Sequence, residues 1–224
     1  MHVQVRGRGL RAGEGVAAAR VGILGGTFNP PHIGHLICAQ EAQLCLGLDT
    51  VVWIPAGVPP HREVEGDPGA EARFEMCELA VSADERFALS RVELEREGPS
   101  YTVDTLRSLR EASPEDELFL ILGGDQAASL RSWHEPEEVL SLATIAVVER
   151  TGYARPAIGV QLSGLRGAEK LVFFDMPRVD VSSSMVRRRA REGKPIRYLV
   201  PDKVANYIGA QSLYGSSEPV AAES

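Results

Sequence analysis

Val21-Gly22-Ile23-Leu24-Gly25-Gly26-Thr27-Phe28-Asn29-Pro30-Pro31-His32-Ile33-Gly34-His35 carries the pattern from which the fold is read. Val21 to Leu24 is a short apolar run, Gly25 and Gly26 end it, and an amphipathic helical pattern runs from Gly34 to Leu46. Strand, glycine turn and helix in that order open a β-α-β unit. The same alternation recurs outward from it. Further strands are predicted over Thr50–Pro55, Phe87–Leu94, Leu118–Leu122, Thr144–Val148 and Lys170–Phe174. Helices are predicted over Ala70–Ser82, Thr102–Glu111 and Pro136–Leu142, with closing helices over Ser183–Arg191 and Asp202–Gly209.

Continuously apolar strands separated by helices predict a parallel sheet covered on both faces. The expected class is therefore α/β, a Rossmann-like doubly wound parallel sheet. It is expected as a single domain over residues 21–213 with a small C-terminal helical region. Residues 1–20 hold no apolar core of a secretory signal and are expected to be a disordered extension, and residues 214–224 a flexible tail. In such sheets ligands sit beyond the carboxyl ends of the strands, where the strand order reverses.

The 224 residues, 44% hydrophobic and 25% charged, are those of an ordinary globular chain long enough to bury a core. A net charge of -7 argues against a nucleic-acid binder, which needs clustered Lys and Arg. No apolar run approaches the ~20 residues of a membrane span. Cys38, Cys45 and Cys77 form no CxxC pair. Cys38 and Cys45 stand about 10 Å apart along a helix at 1.5 Å per residue, too far to bridge. A reducing cytoplasmic setting is expected.

Gly25 and Gly26 let backbone approach a ligand closely, and the helix start beyond them offers N–H groups to an anion. Neither a Walker lysine nor a GxGxxG is present. In their place stand His32 and His35, two imidazole donors flanking Gly34. With Cys38 they also have a zinc-like spacing, but a fourth ligand is missing. A second anion-binding pattern follows near the C-terminus, where Ser182-Ser183-Ser184 precede a helix that carries Arg187 one turn in.

The string from Gly25 to His35 resembles the signature of the HIGH-type nucleotidyltransferases, and in particular the nicotinate-nucleotide adenylyltransferases. Val181-Ser182-Ser183-Ser184-Met185-Val186-Arg187 resembles that family's second ATP motif, with Ser184 in place of the usual Thr. Three further stretches are similar to the nicotinate branch: Pro59-Pro60-His61-Arg62, Glu95 through Thr105, and Gly123-Gly124-Asp125 with Leu130 and Trp133. The resemblance covers about Val21 to Leu213. Asn29 departs from it mildly, standing where many relatives have Asp.

The resemblance implies adenylyl transfer from ATP to nicotinate mononucleotide, giving nicotinate adenine dinucleotide and pyrophosphate. Nicotinamide mononucleotide or phosphopantetheine is the alternative acceptor. It implies His32, His35 and Arg187 as the catalytic residues, acting on the phosphates. ATP is expected at Gly25, Gly26, Thr27, Phe28, Gly34, Asp125, Ser182, Ser183 and Ser184. The acceptor is expected at Asn29, His61, Arg62, Tyr101, Thr102, Trp133 and Arg150, with Trp133 on the pyridine ring and the Thr102 N–H on the carboxylate. Arg73 also aligns with a family position. Mg²⁺ is expected as cofactor, bound mainly through the ATP phosphates and without a protein metal site. No nucleic-acid or membrane partner is expected, and self-association into a homo-oligomer is left open.

Overall fold

The computed structural model describes residues 5–6, 18–59, 66–149 and 155–215. Its centre is a seven-stranded sheet of order β1-β4-β3-β2-β5-β6-β7, made of β1 (Val5–Arg6), β2 (Arg20–Gly26), β3 (Thr50–Pro55), β4 (Phe87–Ser90), β5 (Glu117–Gly123), β6 (Thr144–Glu149) and β7 (Leu171–Asp175). All pairings are parallel except that of β1, which runs antiparallel to β4 at the edge. Of the segment 1–20, the described residues are Val5–Arg6, paired with β4, and 18–20, which lead into β2.

Among the described residues, eight α-helices accompany the sheet: α1 (Ile33–Leu46), α2 (Ala70–Val81), α3 (Thr102–Ala112), α4 (Gly124–Ser129), α5 (Pro136–Leu142), α6 (Arg155–Leu162), α7 (Ser183–Arg191) and α8 (Asp202–Ala210). Because strand side chains alternate, each strand feeds both layers. Ile23, Val52, Ile54, Leu120 and Ile145 pack under Leu106 of α3, Leu140 of α5 and Ile158 of α6. Leu24, Val51, Trp53, Phe119 and Ile121 pack on the opposite face against Ala39 and Ala42 of α1 and Phe74 and Cys77 of α2. Burial on both faces is why these strands read as unbroken apolar runs. A third cluster joins Met76 of α2 to Val186 of α7 and to Val204 and Ile208 of α8, which fastens the C-terminal helices to the main body.

Three differences from the expected elements matter. The strand expected over Phe87–Leu94 ends at Ser90, because the carbonyl of Arg91 accepts from the N–H groups of Leu94 (2.8 Å) and Glu95 (3.0 Å) and curls the chain out of the sheet. Helices α4 and α6 are additional. Helix α1 begins at Ile33, with His32 as its extended N-cap residue. Among the described residues no helix is long and apolar enough to cross a membrane.

Candidate active site

The strand order reverses between β2 and β5, and a cavity of about 610 Å³ opens there at the carboxyl ends of the strands. The volume suits a small-molecule ligand. One wall is Gly25, Gly26 and Thr27 at the end of β2. The other is Tyr101 and Thr102 at the start of α3, Asp125 of α4, and Trp133. Seven residues expected from sequence on two sides of a site thus line one space. A Cβ built on Gly25 meets nothing within 4 Å, so the front of this glycine is open cavity rather than packed protein. The indole Nε1 of Trp133 donates to Ser129 Oγ (3.3 Å), and Tyr101 stacks on His134 with ring centroids 4.4 Å apart.

Past Thr27 the chain turns through Phe28, a non-glycine residue at φ 49°, and its ring inserts into the core. Phe28 stacks on Trp53 and meets His35 edge-on, each with centroids 5.0 Å apart. Phe28 therefore acts as a support beneath the histidines. The His32 N–H donates to His35 Nδ1 at 3.1 Å, and the two rings lie 3.7 Å apart. With Nδ1 accepting, the neutral His35 ring carries its proton on Nε2, which makes that nitrogen a donor. Gly34 permits this fold-back: a Cβ there would lie 3.0 Å from the His32 ring.

The serine motif docks directly onto this loop. Ser182 caps α7 by accepting from the Met185 N–H (3.2 Å), and the Ser183 hydroxyl donates to the Pro30 carbonyl (2.8 Å). Arg187 donates to the Asn29 carbonyl at 2.7 Å and to Ser184 Oγ at 3.3 Å, the former across 158 residues of chain. The buried Asn29 side chain is engaged as well, accepting from the Tyr214 hydroxyl at 2.6 Å. The two motifs are thus one contiguous surface.

Arg73 braces it from behind. Its fully buried guanidinium donates to the carbonyls of Thr27 (3.0 Å), Ala56 (2.6 Å) and Gly57 (3.1 Å) and to Asp67 Oδ1 (3.0 Å). The sequence signal for this residue is readable: Arg73, Met76 and Cys77 share one face of α2, so a cation sits on an apolar stripe. Tyr214, which the sequence reading puts at the start of the tail, and Glu93, which it puts inside a strand, carry no comparable signal. His61, Arg62 and Arg150 lie outside the described residues. Among the described residues no three His, Cys, Asp or Glu side chains are grouped to hold a metal ion.

Residues 23–189 match the cytidylyltransferase-like family model. The chain is 41% identical over 197 residues to the nicotinate-nucleotide adenylyltransferase of Bacillus subtilis, covering 88% of this chain and 99% of that protein. It is 45% identical over 195 residues to a probable nicotinate-nucleotide adenylyltransferase of Thermus thermophilus, covering 87% and 99% respectively. The chain belongs to the nicotinate-nucleotide adenylyltransferase family. Its fold is that of the solved Plasmodium falciparum nicotinic acid mononucleotide adenylyltransferase complexed with NaAD, with a TM-score of 0.73 at 17% identity over 89% of this chain and 98% of that one. As a member of this family the chain is a nucleotidyltransferase, and the reversal point of its sheet is where the family's signature loop lies.

Proposed function

We propose that this protein transfers the adenylyl group of ATP to nicotinate mononucleotide, forming nicotinate adenine dinucleotide and pyrophosphate. One observation carries the reading: a single cavity joins the Gly25-Gly26-Thr27 loop to the N-terminus of α3 and to Trp133. The relatives' names support the acceptor, as does the NaAD recorded with the Plasmodium structure.

In this reading a phosphate oxygen of the acceptor attacks the α-phosphorus of ATP, a new P–O bond forms, and the bond to the β-phosphate breaks. The nucleophile is already ionised, so the chain need supply only position and charge stabilisation. His35 donates from Nε2 to the phosphates, His32 shapes the same cradle, and Arg187 adds the fixed cation. The hydroxyls and N–H groups at the start of α7 complete the ATP side. Asp125 holds a ribose, Trp133 covers the pyridine ring, and the first N–H groups of α3 at Thr102 receive the ring carboxylate. The open front of Gly25 leaves room for the triphosphate; a Mg²⁺ carried on it would supply charge neutralisation, held by the substrate rather than by a protein cage.

The test is pyrophosphate release by the purified protein with ATP, Mg²⁺ and, in turn, nicotinate mononucleotide, nicotinamide mononucleotide and phosphopantetheine. Nicotinate mononucleotide is expected to be turned over with the highest kcat/KM. A preference for either of the others overturns the acceptor assignment.

A further inference from the structure

We infer that Glu93 is a specificity-determining residue of the acceptor cavity, which couples entry of a carboxylate-bearing acceptor to uptake of a proton by its own side chain. The inference rests on the reading above for the acceptor, but its observations are separate.

Glu93 lines the cavity together with Tyr101, Thr102 and Thr105, yet is only 8% exposed. It is held there from several sides. The Thr105 hydroxyl donates to Glu93 Oε1 at 2.7 Å. Ser100 Oγ accepts from the N–H groups of Gly57 (3.0 Å) and Val58 (3.2 Å), which leaves its proton for Glu93. The backbone of Glu93 presses on Gly57 so closely that a Cβ at Gly57 would lie only 2.3 Å (closer than any real contact) from the Glu93 carbonyl oxygen. The Glu93 backbone is thus packed against the loop after β3, and its carboxyl is held at the cavity wall by the Thr105 hydroxyl.

The charged groups around it do not neutralise it. Arg96, from its own loop, spends one nitrogen on the Tyr101 carbonyl (3.4 Å) and Thr105 Oγ1 (3.3 Å). Arg73, from α2, is committed to carbonyls and to Asp67. Among the described residues neither forms an ion pair with Glu93. Among the described residues, Asp125, Tyr101 and His134 are the other titratable groups lining the cavity. Burial outweighs the hydroxyl donors and the Arg96 and Arg73 cations, and pushes the Glu93 carboxyl up to about 7.

A bound carboxylate at the first turn of α3 would share a low-dielectric space with Glu93, whose partner Thr105 lies one turn further along the same helix. Like charge in that space favours the neutral form and raises the carboxyl further, on the order of one pH unit. The acid is then neutral in the complex and half-ionised in the free protein near neutral pH. An acceptor with an amide in place of the carboxylate adds no ring charge and leaves this balance alone. The selectivity for carboxylate over amide therefore declines as pH rises through 7 to 8.

The experiment is titration calorimetry of the full chain with nicotinate mononucleotide and with nicotinamide mononucleotide, in two buffers of different ionisation heat, at pH 6 and pH 7.5. Both ligands carry the same phosphate, so the amide subtracts its protonation. At pH 7.5 the nicotinate form is expected to take up about half a proton more than the amide, with little excess at pH 6. Its affinity is expected to weaken up to about ten-fold from pH 6.5 to 8.5, and this dependence is expected to disappear in Glu93→Gln. Equal proton uptake for the two ligands in the wild type overturns the inference, whether or not the variant folds. So does a Glu93→Gln protein that keeps the wild-type excess. Failure of nicotinate mononucleotide to bind, with turnover of another acceptor, overturns the proposed acceptor and this inference together. Binding without excess uptake overturns this inference alone.

Discussion

His35 shows how much a single side chain is constrained here. Its Nδ1 is occupied by the His32 N–H, its ring is stacked on His32, and Phe28 meets it edge-on. Removing a preorganised donor of this kind costs ~10²–10³ in rate. His35→Ala is expected to lower kcat by that order with the cooperative unfolding transition retained, measured by pyrophosphate release and by circular dichroism. Near-normal turnover in a folded variant would remove the role assigned to it. Glu93 bears on stability as well as on binding. Its carboxyl is raised from 4.5 to about 7 in the folded state, so the folded protein holds a proton that the unfolded chain releases between those values. Its contribution is complete below pH 4.5 and is lost as pH rises through 7, on the order of 3 kcal/mol in total. Glu93→Gln is expected to flatten this part of the stability profile, read as the difference between wild-type and variant urea midpoints at pH 5 and pH 8.

At the scale of elements, α2 is a brace rather than a cover. Arg73 ties the loop after β2 to the loop after β3 through three backbone carbonyls, and its own charge is balanced by Asp67. Arg73→Met leaves those carbonyls without their donor. A cost of about 3 kcal/mol is expected in equilibrium urea unfolding. Arg73→Lys is expected to recover little of it, because one ammonium lacks the planar fork that reaches several acceptors. The elements themselves were mostly legible. Apolar periodicity located the central strands and α1, α2 and α3 to within a residue or two. It failed where backbone bonding outside the sheet decides the path. Nothing in Phe87–Leu94 signals that Arg91 will accept from Leu94 and Glu95, and this turn is what carries Glu93 into the cavity.

At the scale of the molecule, the surface shared by the glycine loop and the serine motif is assembled from the two ends of the domain. Arg187 and Ser183 of α7 bond to Asn29 and Pro30, the Ile33 N–H donates to the Leu199 carbonyl (3.0 Å), and Tyr214 closes on Asn29. A ligand spanning that surface binds only the folded arrangement, so it must stabilise it by mass action. Mg²⁺-ATP at 100 times its Kd is expected to add about 2.7 kcal/mol. Slowed amide exchange is expected in both 27–36 and 182–190. Protection confined to one of the two segments would show that they do not act as a unit.

The sequence by itself determined the class of sheet, the glycine loop with its two histidines, and the serine motif ending in Arg187. These depend on local patterns: side-chain period, glycine placement and residue chemistry at fixed spacing. Only the tertiary structure decided that the two motifs touch, that Phe28 and Arg73 support rather than contact the open space, and that Glu93 lines the cavity. Those facts arise from contacts across long stretches of chain and from burial, and neither is encoded in the spacing of neighbouring residues.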